Sequence, residues 1–95
     1  MIVELYSSAF CGACHAARAV LEHAVALVPA AELREYDVAF RADLAEAEHV
    51  RSTPTVVVRS ADGRAVFRAE GAPSLPQALS ALARALPETA AVDAP

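Results

Sequence analysis

The run Thr55-Val56-Val57-Val58-Arg59 limits the folds open to this chain more than any other segment. Side chains alternate between the two faces of a strand, so consecutive valines place apolar groups on both faces. Such a strand belongs inside a sheet that is covered on both sides. The flanking segments supply the cover. Ile2 to Tyr6 is a β-rich run, and Leu33 to Val38 is a second. Between them Ala17, Val20, Leu21, Ala24, Val25 and Val28 recur at helical spacing from Gly12 to about Val28, and Pro29 ends that helix. A short alanine-rich helix is expected from Asp43 to about Val50. Ala61-Asp62-Gly63 is a turn signal, with Arg64 to Ala69 as the hairpin partner of the valine strand. Gly71-Ala72-Pro73 breaks that strand. Ser74 and Gln77 have capping-box spacing and open a last helix with Leu75, Leu79, Leu82 and Leu86 as its apolar stripe. The expected fold is α/β, ordered β-α-β-α-β-β-α, with helices on both faces of a four-stranded mixed sheet.

Length and composition bound what this fold can hold. The chain has 95 residues, enough for one domain. Hydrophobic residues make up 56%, but 24 of them are alanine, which leaves a thin core without room for a large cofactor cavity. The domain is read as residues 1–86, with 87–95 as a small, polar, frayed tail. Net charge is −4, and the eight basic residues are scattered arginines, so no basic stripe points to nucleic acid. No run approaches the roughly 18 apolar residues of a spanning helix. The start, Met1-Ile2-Val3-Glu4, lacks the basic residues of a secretory signal, so a cytoplasmic protein is expected. A monomer is the separate expectation for its assembly.

The two cysteines are Cys11 and Cys14. A bond between them closes a minimal loop and so adds little stability. Their placement suits chemistry instead. They stand where the first strand gives way to the first helix, beside unpaired N–H groups and the positive end of the helix dipole. A thiolate at Cys11 is stabilised there and drawn below the ordinary cysteine range. Cys14 lies one turn further in, within reach of a disulfide. The position makes Cys11 the attacking thiol and Cys14 the resolving one. His15, four residues after Cys11, falls near the same helical face. Protonated, it favours the Cys11 thiolate; otherwise it is an exposed helix residue. Phe10 and Tyr6 either cover the thiol or belong to the core, with core the better reading for Tyr6. Cys11-Gly12-Ala13-Cys14-His15 also fits c-type haem attachment. Haem, however, needs export, a sixth ligand and a pocket, and the only methionine is Met1. Structural zinc needs four ligands. Cys11, Cys14 and His15 form one cluster, while His23 and His49 stand alone on expected helices as surface or half-buried residues. A zinc site shared between two copies stays open. No metal or organic cofactor is expected.

These residues resemble the thioredoxin-like superfamily, most of all the small, glutaredoxin-sized thioredoxins of archaea and bacteria. The resemblance runs from about Met1 to Leu86. It rests on Glu4-Leu5-Tyr6-Ser7-Ser8 leading into Cys11-x-x-Cys14, on Val50-Arg51-Ser52-Thr53-Pro54-Thr55, and on Gly71-Ala72-Pro73-Ser74. It implies a thiol–disulfide oxidoreductase acting on protein disulfides, with electrons from a partner such as a thioredoxin reductase or glutathione. It also implies a cis Thr53–Pro54 bond against the disulfide, where base rates favour trans. The Thr53 backbone would face the substrate, to which an extended peptide can pair. Phe10, Gly12, Ala13, His15, Thr53, Pro54 and Gly71 would support or bind substrate.

The pattern departs from the family in several places. Gly12-Ala13 stands for Gly-Pro, and Phe10 for Trp. The buried acid of large thioredoxins falls at Leu5. Glu4 points to the opposite strand face and is read as a solvated or edge-facing acid. The reduction potential is open across about −270 to −120 mV, with the reducing side favoured for a cytoplasmic protein. A glutathione-dependent, glutaredoxin-like enzyme is the nearest alternative. Of its glutathione-binding features only the Pro54 loop is clear, since Arg41 and Arg51 are distant and Gly71-Ala72-Pro73-Ser74 lacks an acid. A third reading is a redox sensor or adaptor without turnover.

Overall fold

The computed structural model describes Met1–Pro87; the expected tail from Glu88 onward lies outside these residues. The element order is β1 (Ile2–Ser7), α1 (Gly12–Leu27), β2 (Glu32–Asp37), α2 (Ala42–Ala47), β3 (Thr55–Arg59), β4 (Ala65–Glu70) and α3 (Leu75–Ala85). The four strands form one mixed sheet in the order β2-β1-β3-β4, with β1 and β2 parallel and the other two pairs antiparallel. The valine strand β3 is therefore internal, and Val56, Val57 and Val58 are all buried.

The strand period sorts the sheet into two faces. Val3, Leu5, Val56 and Val58 pack with Ala17, Leu21 and Ala24 of α1 and with α3. Tyr6 and Val57 face the other way, toward α2, whose one buried residue is Ala45. Helices thus cover both faces.

Two helices differ from expectation for identifiable reasons. Of the expected leucine stripe of α3 only Leu82 is fully buried, and the rest of the buried face is Ala78, Ala81 and Ala85. Leu75 and Leu79 are only partly buried against the core, and Leu86 is exposed. Small side chains let α3 lie close to α1 and the sheet, so alanines take most of the interior and, Leu82 apart, the leucines take the margin. At the start of α3 the capping box is complete: Ser74 Oγ accepts the Gln77 N–H, and Gln77 Oε1 accepts the Ser74 N–H.

Helix α2 stops at Ala47, short of Val50. His49 has φ +54°, the Val50 N–H returns to the Ala45 carbonyl, and the His49 N–H returns to Glu46. This is a Schellman ending with histidine where glycine is commoner. Arg68 of β4 donates to the Glu48 and His49 carbonyls and so completes the helix end.

Glu4 is not a solvated acid. It is half-buried on the α2 face, where it accepts from the Tyr6 hydroxyl and from Arg59 Nε at 3.1 Å. Arg59 also pairs with Glu48. Burial and the neighbouring Glu4 and Glu48 carboxylates push the Tyr6 phenol well up. Tyr6 is buried as expected, but its ring neighbours are Tyr36 and the Glu4 cluster.

Candidate active site

Two loops meet at the ends of the central strands. The first is Ser8–Phe10, which joins β1 to α1. Cys11 is the N-cap of α1, in extended conformation, and its Sγ accepts the Cys14 N–H at 3.1 Å. Cys11 and Cys14 are joined as a disulfide, with their Cα atoms 5.2 Å apart. Cys11 is half-exposed, whereas Cys14 is 1% exposed. The first turn of α1 holds no acidic residue. In the reduced form a charge on Cys11 Sγ would therefore meet an N–H donor and the helix dipole with no carboxylate in that turn opposing it.

The second loop is Ser52–Pro54, ahead of β3. Its Thr53–Pro54 bond is cis, where the residues alone favour trans. The Thr53 carbonyl lies 3.9 Å from Cys11 Sγ. Pro54 is buried, and its carbonyl accepts the Gly71 N–H at 2.8 Å. Gly71 holds φ +97°, a conformation that side chains rarely adopt. Thr55 Oγ1 donates to the Ser52 carbonyl at 2.7 Å, which closes the loop on itself.

The structure thus brings Cys11, Cys14, Thr53, Pro54 and Gly71 together. Gly12, Ala13 and His15 are exposed around them. Phe10 is neither core nor cover. It is fully solvent-exposed with φ +56°, an unfavourable backbone for a bulky residue. Tyr6 is 1% exposed and belongs to the core.

Beside Cys11 an open concavity is lined by Phe10, His15, Arg18, Glu35 and Asp37, among others. Arg18 of α1 donates through Nε and Nη2 to Glu35 of β2, which also accepts from the buried Ser7 hydroxyl at 2.7 Å. The Arg18 guanidinium holds the Glu35 carboxyl below its usual range, against the opposing effect of burial.

Leu5, where large thioredoxins would place an acid, is fully buried on the α1 face, and Glu4 is turned to the α2 face. Arg41, considered above for glutathione, is engaged by Asp43 and lies over the Tyr36 ring. Among the described residues no group of three His, Cys, Asp or Glu side chains could hold a metal ion. No helix among them is long and apolar enough to cross a membrane.

Sequence reasoning named neither the Arg18–Glu35–Ser7 cluster nor the side-chain contact between the two loops. Ser8 Oγ and Thr53 Oγ1 are 2.7 Å apart and join the two loops. The only signal for the loop contact is the pairing of Tyr6 with Thr55, which sets Ser8 opposite Thr53 once the register is known.

By sequence the chain matches no protein-family profile and no curated protein. Solved structures do match. The thioredoxin of Fasciola hepatica superposes with a TM-score of 0.72 at 27% identity, over 83% of this chain and 77% of that one. Oxidised mitochondrial thioredoxin 3 of Saccharomyces cerevisiae gives 0.71 at 26% identity, over 83% and 72%. Thioredoxin-2 of the malaria parasite gives 0.80 at 18% identity, over 87% and 81%. By its fold the chain belongs to the thioredoxin-like superfamily. The thioredoxin-like fold and the close Cys11–Cys14 pair together support a redox-active dithiol.

Proposed function

We propose that the chain is a thiol–disulfide oxidoreductase that reduces protein disulfides, with Cys11 as nucleophile and Cys14 as resolving thiol. One observation carries this reading: a half-exposed Cys11 caps α1 and takes an N–H bond on sulfur, while its partner Cys14 is buried one turn inside. The Cys11 thiolate attacks one sulfur of the substrate disulfide. That bond breaks, a Cys11–substrate bond forms, and the first substrate sulfur leaves as a thiolate that takes a proton from water. The Cys14 thiol gives up its proton and its thiolate attacks Cys11 Sγ. The second substrate sulfur then leaves, and the Cys11–Cys14 disulfide remains. Two electrons pass from the dithiol to the substrate, and a thiol or reductase of another protein returns them.

The mixed disulfide would lie against the Thr53–Pro54 loop, whose backbone suits an extended peptide. Gly71 holds that loop through its N–H to Pro54. Phe10, Gly12, Ala13 and His15 form the exposed rim a substrate would touch. No metal or organic cofactor takes part.

The test is a protein-disulfide reduction assay run twice, with a thioredoxin reductase and with glutathione as electron source. Turnover with the reductase and little with glutathione is the expected result, because Arg41 is tied to Asp43 and the Gly71–Ser74 turn lacks an acid. Turnover with glutathione alone would favour the glutaredoxin-like alternative. No turnover with either would leave a redox-switched adaptor.

A further inference from the structure

The antiparallel pairing of β1 and β3 ends at Tyr6 opposite Thr55. One step further, Pro54 has no N–H with which to extend the ladder. Two steps further, Ser8 and Thr53 face each other, and there the join resumes through side chains, with Ser8 Oγ 2.7 Å from Thr53 Oγ1. Both residues are half-buried. This hydroxyl pair is the one side-chain hydrogen bond between the two loops among the described residues. It holds Thr53 at the place where its carbonyl stands 3.9 Å from Cys11 Sγ. Thr55 Oγ1 fixes the loop only to itself, through the Ser52 carbonyl, and Gly71 fixes it to β4. Neither contact sets the loop against the cysteine side of the cleft.

We propose that Ser8 is a positioning residue: through Thr53 it sets the exposed loop backbone relative to Cys11, so that a substrate's main chain and its sulfur are engaged together. This rests on the oxidoreductase reading above. Ser8 itself touches no reacting atom. Its role is felt only by substrates that have a main chain to pair with the loop. A small aromatic disulfide offers only its sulfurs.

The experiment compares wild type, Ser8→Ala, Ser8→Thr and Thr53→Val on a peptide disulfide and on a small aromatic disulfide, with KM and kcat measured separately. One neutral hydrogen bond sets the scale at about two- to tenfold. Ser8→Ala should raise KM for the peptide by about that factor, leave its kcat alone and leave the small disulfide unchanged, and Thr53→Val, which removes the other hydroxyl, should raise the peptide KM by a similar factor. The double variant should be no worse than either single one, because both remove the same contact. Ser8→Thr keeps the hydroxyl and should retain the wild-type KM. Equal losses on both substrates would mean a general structural defect and overturn the proposal, as would an unchanged peptide KM in Ser8→Ala. Inactivity of wild type on both substrates would instead overturn the oxidoreductase reading, and the positioning role with it.

Discussion

Gly12 and Gly71 form a matched pair for testing how much of the site depends on backbone conformation. Apart from its chain neighbours and, for Gly12, the backbone of its own helix, neither glycine has an atom within 4 Å of the place a Cβ would occupy, so an added methyl group has open space. The two differ in dihedral angle. Gly12 is the first residue of α1, whereas Gly71 holds φ +97°. Replacing glycine by alanine at a compatible position stabilises by about 0.4–1 kcal/mol, because the unfolded chain has fewer states to lose. The same gain applies at Gly71, but forcing alanine into that region costs about 1–3 kcal/mol. Gly12→Ala should therefore gain about 0.4–1 kcal/mol, and Gly71→Ala should lose up to about 2.5 kcal/mol. For a domain of this size 1 kcal/mol moves Tm by roughly 4–8 °C. Urea titrations of the oxidised proteins, analysed with a common slope, read the difference directly. If Gly71→Ala is as stable as Gly12→Ala, the dihedral argument is wrong and the Gly71–Pro54 junction is not held as described.

Two further outcomes follow from the same structure. Leu21 is 2% exposed among core alanines and valines, and Leu21→Ala should cost about 3–5 kcal/mol in denaturant unfolding, a large share of a small domain's stability. The Glu35 carboxyl is held below its ordinary value of 4.5, so its pairing stabilises the protein above that value and is lost as pH falls through the lower folded-state pKa. Wild type should thus exceed Glu35→Gln by up to about 1 kcal/mol at neutral pH, with the gap closing on acidification, as read by unfolding at several pH values.

The elements legible in the sequence are those whose signal is local. The valine strand declares its buried central place because adjacent valines cannot both face solvent. The cysteine pair declares itself because two residues three apart at a strand-to-helix junction have little use as a staple. The Ser74–Gln77 box is equally local. The misread features depend on partners far along the chain. Glu4 looks solvated until Arg59, 55 residues away, is set beside it by the β1–β3 ladder. The stripe of α3 looks like leucine because leucine carries more apolar surface, but beside Leu82 the close approach of α1 selects alanine. The end of α2 is decided by His49 in a left-handed turn and by Arg68 from β4, neither of which marks a stop in the sequence. Ser8 is one hydroxyl among several until the register places it across from Thr53. Phe10 is apolar and adjacent to Cys11, yet its dihedral angle turns it into solvent.

The division of labour between the two thiols is the centre of this account, and trapping of the mixed disulfide tests it most directly. Cys14→Ser and Cys11→Ser variants, each reduced and then mixed with a disulfide-containing protein, are resolved on a non-reducing gel with the linked cysteine identified by mass spectrometry. Cys14→Ser should accumulate a stable adduct through Cys11, because the attacking thiol remains and nothing resolves the bond. Cys11→Ser should accumulate almost none, because Cys14 is buried. Equal trapping by the two variants, or trapping through Cys14 alone, would contradict the assignment.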